Sequence, residues 1–258
     1  MKEFAPLEEF VNRGFILLKD CKPGIALNTF QEGLEQYPSS PELINGIGMA
    51  NLEIEEFGMA KLAFEKGLEI EAENPDMQIG LGISLLNFNR IDAAMTLFEN
   101  SMLNFDEEDE TKAEYATSIG RALCNYEYFL QALRFFDLAI EIDPMNPDAN
   151  FGIGVCRHVL GMLFAKDHLW NAISEVDEFY EAFSFLGNIY YEEGDVKKAM
   201  SLFDQIPIEF NWDVVTLKRM VRTKRKERLN IEDLEEKLSL VLESSKNAKE
   251  IISLMKKG

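Results

Sequence analysis

Residues 113–146, AEYATSIGRALCNYEYFLQALRFFDLAIEIDPMN, decide the fold. Their apolar residues recur at the three- and four-residue spacings of two short amphipathic helices, with Ile119, Leu123, Leu130, Ala132, Phe136 and Ala139 expected on the faces that meet. Gly120 sits in the middle of the first helix, where glycine gives up about 1 kcal/mol against alanine, so its presence implies that another backbone passes close by. Pro144 stops the second helix, because proline has no N–H to continue the ladder.

The same pattern recurs outward from this stretch in both directions. Taking Gly120 as position eight of a 34-residue unit, the matching glycines are Gly14, Gly48, Gly82, Gly154 and Gly187. Twelve residues after each glycine stands Ala26, Ala60, Ala94, Ala132 or Ala199. Ala165 joins them if one residue is deleted from the fifth inter-helix turn. Four residues further come Phe30, Phe64, Phe98, Phe136, Leu169 and Phe203, then the small residues Gly33, Gly67, Ser101, Ala139 and Ala172, with Ile206 breaking the rule. Pro41, Pro75 and Pro147 each open a unit, as proline does in a first helical turn. The glycine pairs Gly46/Gly48, Gly80/Gly82 and Gly152/Gly154 lack a third glycine and a preceding strand, so they read as close helix packing and not as a nucleotide-binding turn.

Six helix-turn-helix copies at this period, with Gly, Ala, Phe and Pro at these offsets, resemble the tetratricopeptide repeat family. The resemblance covers residues 7–213 as copies 7–40, 41–74, 75–108, 113–146, 147–179 and 180–213. It implies an all-α, right-handed superhelical solenoid of antiparallel helix pairs. The family's early first-helix aromatic is present only as Phe10 and Phe183, the closing proline only as Pro38 and Pro144, and Arg13 stands where an apolar residue is usual. Between the third and fourth copies the acidic run NFDEEDET, 104–111, reads as a longer solvated loop; it lacks the spaced ligands and glycine of a calcium loop. From Asn211 the repeat register is expected to lapse. Residues 214–258 then read as a helical cap with apolar positions Val215, Leu217, Met220 and Val221, then Ile231, Leu234, Leu238 and Leu242, then Ile251, Ile252 and Met255.

The resemblance also implies a binding surface. In the family, first helices line a concave groove through positions five, nine and twelve of each unit. In this chain those are Val11, Phe15 and Leu18; Asn45, Met49 and Leu52; Ile79, Ile83 and Leu86; Thr117, Arg121 and Cys124; Phe151, Val155 and His158; and Ser184, Asn188 and Tyr191. The first half is apolar and suits a peptide or amphipathic helix offering apolar anchors. Val11, Phe15, Asn45 and Ile79 stand where some members carry a carboxylate clamp, so that mode is not expected.

Of the net charge of −20, residues 211–258 carry twelve cations and eight anions, a net +4, which leaves −24 for residues 1–210. An acidic body repels nucleic acid and favours basic partners. The second candidate surface is the basic stretch Lys218, Arg219, Arg222, Lys224, Arg225, Lys226 and Arg228, with Trp212 nearby. It reads first as charge that pairs within the chain, then as a site for acidic protein partners, and last as a nucleic-acid contact. His158 and Cys156 point to different sides of a helix, no other ligand pair accompanies them, and no nucleophile elbow, phosphate loop or metalloprotease motif is present. No metal, cofactor or catalysis is expected. Cys21, Cys124 and Cys156 form no paired framework, no apolar run spans a membrane, and the acidic opening MKEFAPLEEF is unlike a secretory leader. The expectation is a cytoplasmic, noncatalytic protein-interaction scaffold. A nucleic-acid-associated regulator using the basic helix, or a self-assembling scaffold, stand as the alternatives.

Overall fold

The computed structural model describes residues 5–103, 105, 109–211 and 213–255, with side chains as far as Ser244. Trp212 and half of the acidic run, Asn104 and Asp106 to Glu108, lie outside these residues, as do the side chains of Ile251, Ile252 and Met255. Among the described residues there are fourteen α-helices and no strand. They form seven pairs: α1 Leu7–Lys19 with α2 Pro23–Gln36, α3 Pro41–Glu53 with α4 Phe57–Leu68, α5 Pro75–Asn87 with α6 Ile91–Ser101, and α7 Glu110–Asn125 with α8 Phe129–Ile142. Then follow α9 Pro147–Val159 with α10 Ala165–Glu175, α11 Tyr180–Glu192 with α12 Val196–Phe203, and α13 Val214–Lys226 with α14 Glu232–Met255. The chain divides into two compact bodies, residues 1–143 and 144–258.

One aromatic ring locks five of the seven pairs. In the N-terminal body a Cβ added to Gly14 would fall 2.2 Å from the Phe30 ring, at Gly48 2.4 Å from Phe64, at Gly82 2.3 Å from Phe98, and at Gly120 2.6 Å from Phe136. Such distances leave no room for even a methyl group. The close approach anticipated at Gly120 is therefore real, but it is made by a ring and not by a neighbouring backbone. Gly46 and Gly80 accept Phe30 and Phe64 from the preceding pair at 2.5 and 2.3 Å, which is why glycines occur twice in α3 and α5. In the C-terminal body Leu169 seats on Gly154 and Phe203 on Gly187 in the same way. All five of these Phe rings are fully buried, and each contributes roughly 1.5–3 kcal/mol by leaving water.

Polar caps and a repeated backbone twist set the helix ends. Ser40, Asn74, Asp109, Asn146 and Asp213 each accept a hydrogen bond from an N–H in the following helix's first turn. At the other end of every first helix, the residue at position fifteen adopts the left-handed conformation: Cys21, Glu55, Asn89, Glu127, Gly161 and Gly194. The N–H of the next residue then reaches back to the carbonyl at position eleven, as in Lys22 to Leu17 at 2.9 Å and Glu56 to Asn51 at 2.8 Å. This 6→1 bond satisfies a terminal carbonyl and reverses the chain into the second helix.

Three expectations change. Leu130 does not face the partner helix; it is 58% exposed, because the ring lock is met by Ala132, Phe136 and Ala139 on the opposite side of α8. Part of the insertion after the third copy is helix and not loop. Asp109 caps α7 early, so α7 has 16 residues where α5 and α9 have 13.

Nor does the register lapse at Asn211. α13 starts after the capping Asp213, and 34 residues beyond Gly194 Arg228 takes the left-handed turn, with Leu229 N–H bonded to the Lys224 carbonyl at 3.0 Å. Residues 214–255 are thus a seventh helix pair. Val221 replaces its position-eight glycine, and Leu234, Leu238 and Val241 repeat the four- and three-residue steps of Ala, Phe and small residue with larger side chains. Val215, on the far side of α13, is exposed.

Candidate partner-binding faces

In the N-terminal body the first helices lie side by side, α1 against α3, α3 against α5, and α5 against α7. That contact consumes much of the expected groove. Asn45, Ile79 and Thr117 at position five are buried, as is Leu86 at position twelve, and Thr117 donates its hydroxyl to the Ala113 carbonyl at 2.8 Å. Phe15 packs edge-on against Phe30 with centroids 5.3 Å apart, and Val11 and Leu18 join the same cluster. Leu52 and Cys124 are half-buried. Position nine stays open: Met49 and Arg121 are exposed and Ile83 is half-buried.

One polar atom stands out on this face. Asn45 is only 7% exposed and its buried amide oxygen has no hydrogen-bond partner. An unpaired buried acceptor costs about 1–3 kcal/mol.

In the C-terminal body the corresponding positions are used by the chain itself. Phe151 lies tilted against Phe179 at 5.1 Å and meets Phe185 edge-on at 6.1 Å, and His158 meets Phe185 edge-on at 5.6 Å. Val155 is half-buried. Ser184 and Asn188 are gripped by α13: Asp213 Oδ2 accepts from Ser184 Oγ and Asn188 Nδ2, each at 3.1 Å, and Asn188 Nδ2 also reaches Thr216 Oγ1 at 2.9 Å. Arg219 donates to Asn188 Oδ1 at 2.8 Å, pairs with Glu192 at 2.8 Å, and lies 5.0 Å over the Tyr191 ring. A concavity of 390 Å³ remains above this network, bordered by His158, Glu181, Phe185 and Glu192. Burial alone would push the Asp213 carboxyl up. Hydrogen bonds from the Thr216 hydroxyl, the Val215 and Thr216 N–H groups and Asn188 outweigh it and hold the group below the usual Asp range.

α13 also divides the basic stretch. Arg219 and Lys224 turn inward, Lys224 to Asp204 at 2.8 Å, and Arg225 pairs with Glu235 across to α14. Among the described residues Lys218, Arg222 and Lys226 form no ion pair, and Arg228 is exposed in the left-handed turn. Sequence reasoning named Ser184 and Asn188 as groove positions but missed Asp213 and Thr216, the residues at the start of α13 that occupy them. No group of three His, Cys, Asp or Glu side chains among the described residues is placed to hold a metal ion. No helix among them is long and apolar enough to cross a membrane.

No protein-family model and no curated sequence matches the chain. Solved structures do. PilW, a widely conserved type IV pilus biogenesis factor, matches with a TM-score of 0.65 at 15% identity over 77% of this chain and 91% of its own. A tetratricopeptide repeat protein from Parabacteroides merdae matches at 0.62 and 14% identity over 97% of both chains. The human IFIT1 dimer with m7Gppp-AAAA matches at 0.67 and 16% identity, over 98% of this chain and 62% of the IFIT1 chain. Successive helix pairs, five of them locked by one ring on a glycine, together with these likenesses, make the fold of this chain that of the tetratricopeptide repeat.

Proposed function

We propose that the chain is a noncatalytic protein-interaction scaffold whose N-terminal body receives a partner segment across the open position-nine row. The observation that carries this reading is that Met49 and Arg121 are exposed and Ile83 half-buried at position nine, while Asn45, Ile79 and Thr117 at position five are buried. Two apolar anchors contribute roughly 1.5–3 kcal/mol each, short of the about 8 kcal/mol of a micromolar complex, so the partner must add contacts elsewhere along the row. A preformed stack of helices leaves most of the ordering cost with the partner.

The noncatalytic part of the reading rests on Asp213. Its carboxyl accepts from Ser184, Asn188, the Thr216 hydroxyl and the Val215 and Thr216 N–H groups and is held below the usual Asp range by hydrogen bonds, the opposite of a base poised near neutral pH. The cytoplasm is the proposed compartment, in keeping with three cysteines none of which is in a disulfide.

The test is affinity purification on the intact chain, then isothermal titration of the recovered protein against wild type and the Met49→Glu, Ile83→Glu variant. Loss of at least tenfold in affinity with unchanged helicity supports the reading. Equal affinity for both forms removes it. The IFIT1 structures carry RNA, and the cations of α13 give a nucleic-acid reading its one local support. Capture of RNA in place of protein would install that reading instead, and mass rising with concentration in the absence of any partner would install self-assembly.

A further inference from the structure

We infer that the seventh helix pair forms a second docking site, a groove between α13 and α14 that takes an acidic amphipathic helix from another protein. The inference starts from the packing of that pair. In the pairs before it a glycine and an alanine let the helices close on one Phe ring or, in the fifth, on Leu169, whereas α13 and α14 carry the larger Val221 and Leu234 at the glycine and alanine positions and Leu238 at that of the ring. Between the two helices lies a groove of 740 Å³, within the usual range of about 300–1,000 Å³ for ligand sites. Its apolar lining is Val221, Leu238 and Leu242.

Charge decides the occupant. Lys218, Arg222, Arg225 and Lys226 stand at steps of four, three and one along α13, so all four share the face that borders the groove. Glu235 is the one carboxylate in the lining, and it is taken up by Arg225. Four cations against one anion leave three positive charges over an apolar strip, on a chain whose net charge is −20.

A helix with a leucine stripe flanked by glutamates matches both features: the stripe covers Val221, Leu238 and Leu242, and the glutamates pair with Lys218, Arg222 and Lys226. α13 has 13 residues and so runs about 20 Å, the length of three to four turns of a docked helix. Nucleic acid matches less well, because the lining offers no aromatic ring on which a base could stack.

The site is separate from the position-nine row of the N-terminal body, and it is tested separately. The probes are a labelled 16-residue helix with leucines at i, i+3, i+4 and i+7 and glutamates on both flanks, the same peptide with lysines for glutamates, and a single-stranded RNA oligonucleotide. Fluorescence anisotropy is read with the full chain. The acidic peptide is expected to bind, and the lysine peptide is not.

Arg222→Glu with Lys226→Glu, both exposed, should weaken the acidic peptide at least tenfold, as should Leu242→Glu. Met49→Glu should leave it unchanged. Tighter binding of the oligonucleotide than of the acidic peptide, equal binding of the acidic and lysine peptides, no peptide binding at all, or indifference to the charge reversal would each overturn the inference.

Discussion

At the residue scale, two positions carry most of the information, and only one was legible in the sequence. Position eight shows itself because its physical demand is a side chain of no size. Gly48→Ala forces a methyl group to 2.4 Å from the fully buried Phe64 ring and should destabilise the chain by about 1–3 kcal/mol, the range for overpacking a core. Gly58 has nothing within 4 Å of its would-be Cβ and lies in a helix, so Gly58→Ala should stabilise by about 0.5–1 kcal/mol. Denaturant titration of the two variants checks both signs.

Position fifteen was invisible because its demand falls on the backbone. It is filled by Cys, Glu, Asn, Glu, Gly, Gly and, in the seventh pair, Arg, and no residue pattern betrays a shared left-handed turn. The carbon Cβ of a non-glycine residue is strained there by about 1–2 kcal/mol. Glu55→Gly and Glu127→Gly should therefore each raise stability, by about 0.5–1 kcal/mol once the looser unfolded chain is counted. A fall in the thermal midpoint of either variant would contradict this.

At the element scale, α13 shows why the end of the repeat array was hard to read. Its cap and terminal turn keep the 34-residue register, yet the small residues that announce a pair have become Val221, Leu234 and Val241. A search for glycine and alanine loses such a pair; a search for the capping Asp213 would have kept it. The same helix explains the fate of the expected groove residues Asn188 and Tyr191. Asp213, Thr216 and Arg219 already occupy them, and a pattern carried over from a family cannot show which positions the chain uses on itself.

Asp213 joins this element to α11 and makes it sensitive to acid. Its folded pKa lies below that of an unfolded Asp, so its contribution is present above the unfolded value of about 3.9 and is lost as pH falls through the lower folded value. Wild type should lose stability more steeply than Asp213→Asn on going from about pH 5 to pH 2, a comparison that cancels the other carboxylates. Parallel pH profiles for the two proteins would show that the Asp213 network does not hold α13. At neutral pH, Asp213→Ala should cost about 0.5–2 kcal/mol through the lost cap alone.

At the scale of the whole molecule, repetition explains why the fold was legible while the site was only partly so. A lock made within each pair and between neighbours is written once per repeat, and six copies make it unmistakable. A binding face is not repeated: it depends on which side chains neighbouring helices leave uncovered. Position five was expected to face a partner, and in the N-terminal body it is spent on contacts between first helices, which leaves Met49, Ile83 and Arg121 with the buried Asn45 at the edge of the contact.

The most direct test of that claim is hydrogen–deuterium exchange on the intact chain, with and without the protein recovered by affinity purification. Protection concentrated in α3, α5 and α7, around Met49, Ile83 and Arg121, is the predicted result. Protection confined to the second helices α4, α6 and α8, or none in the N-terminal body, would contradict the account.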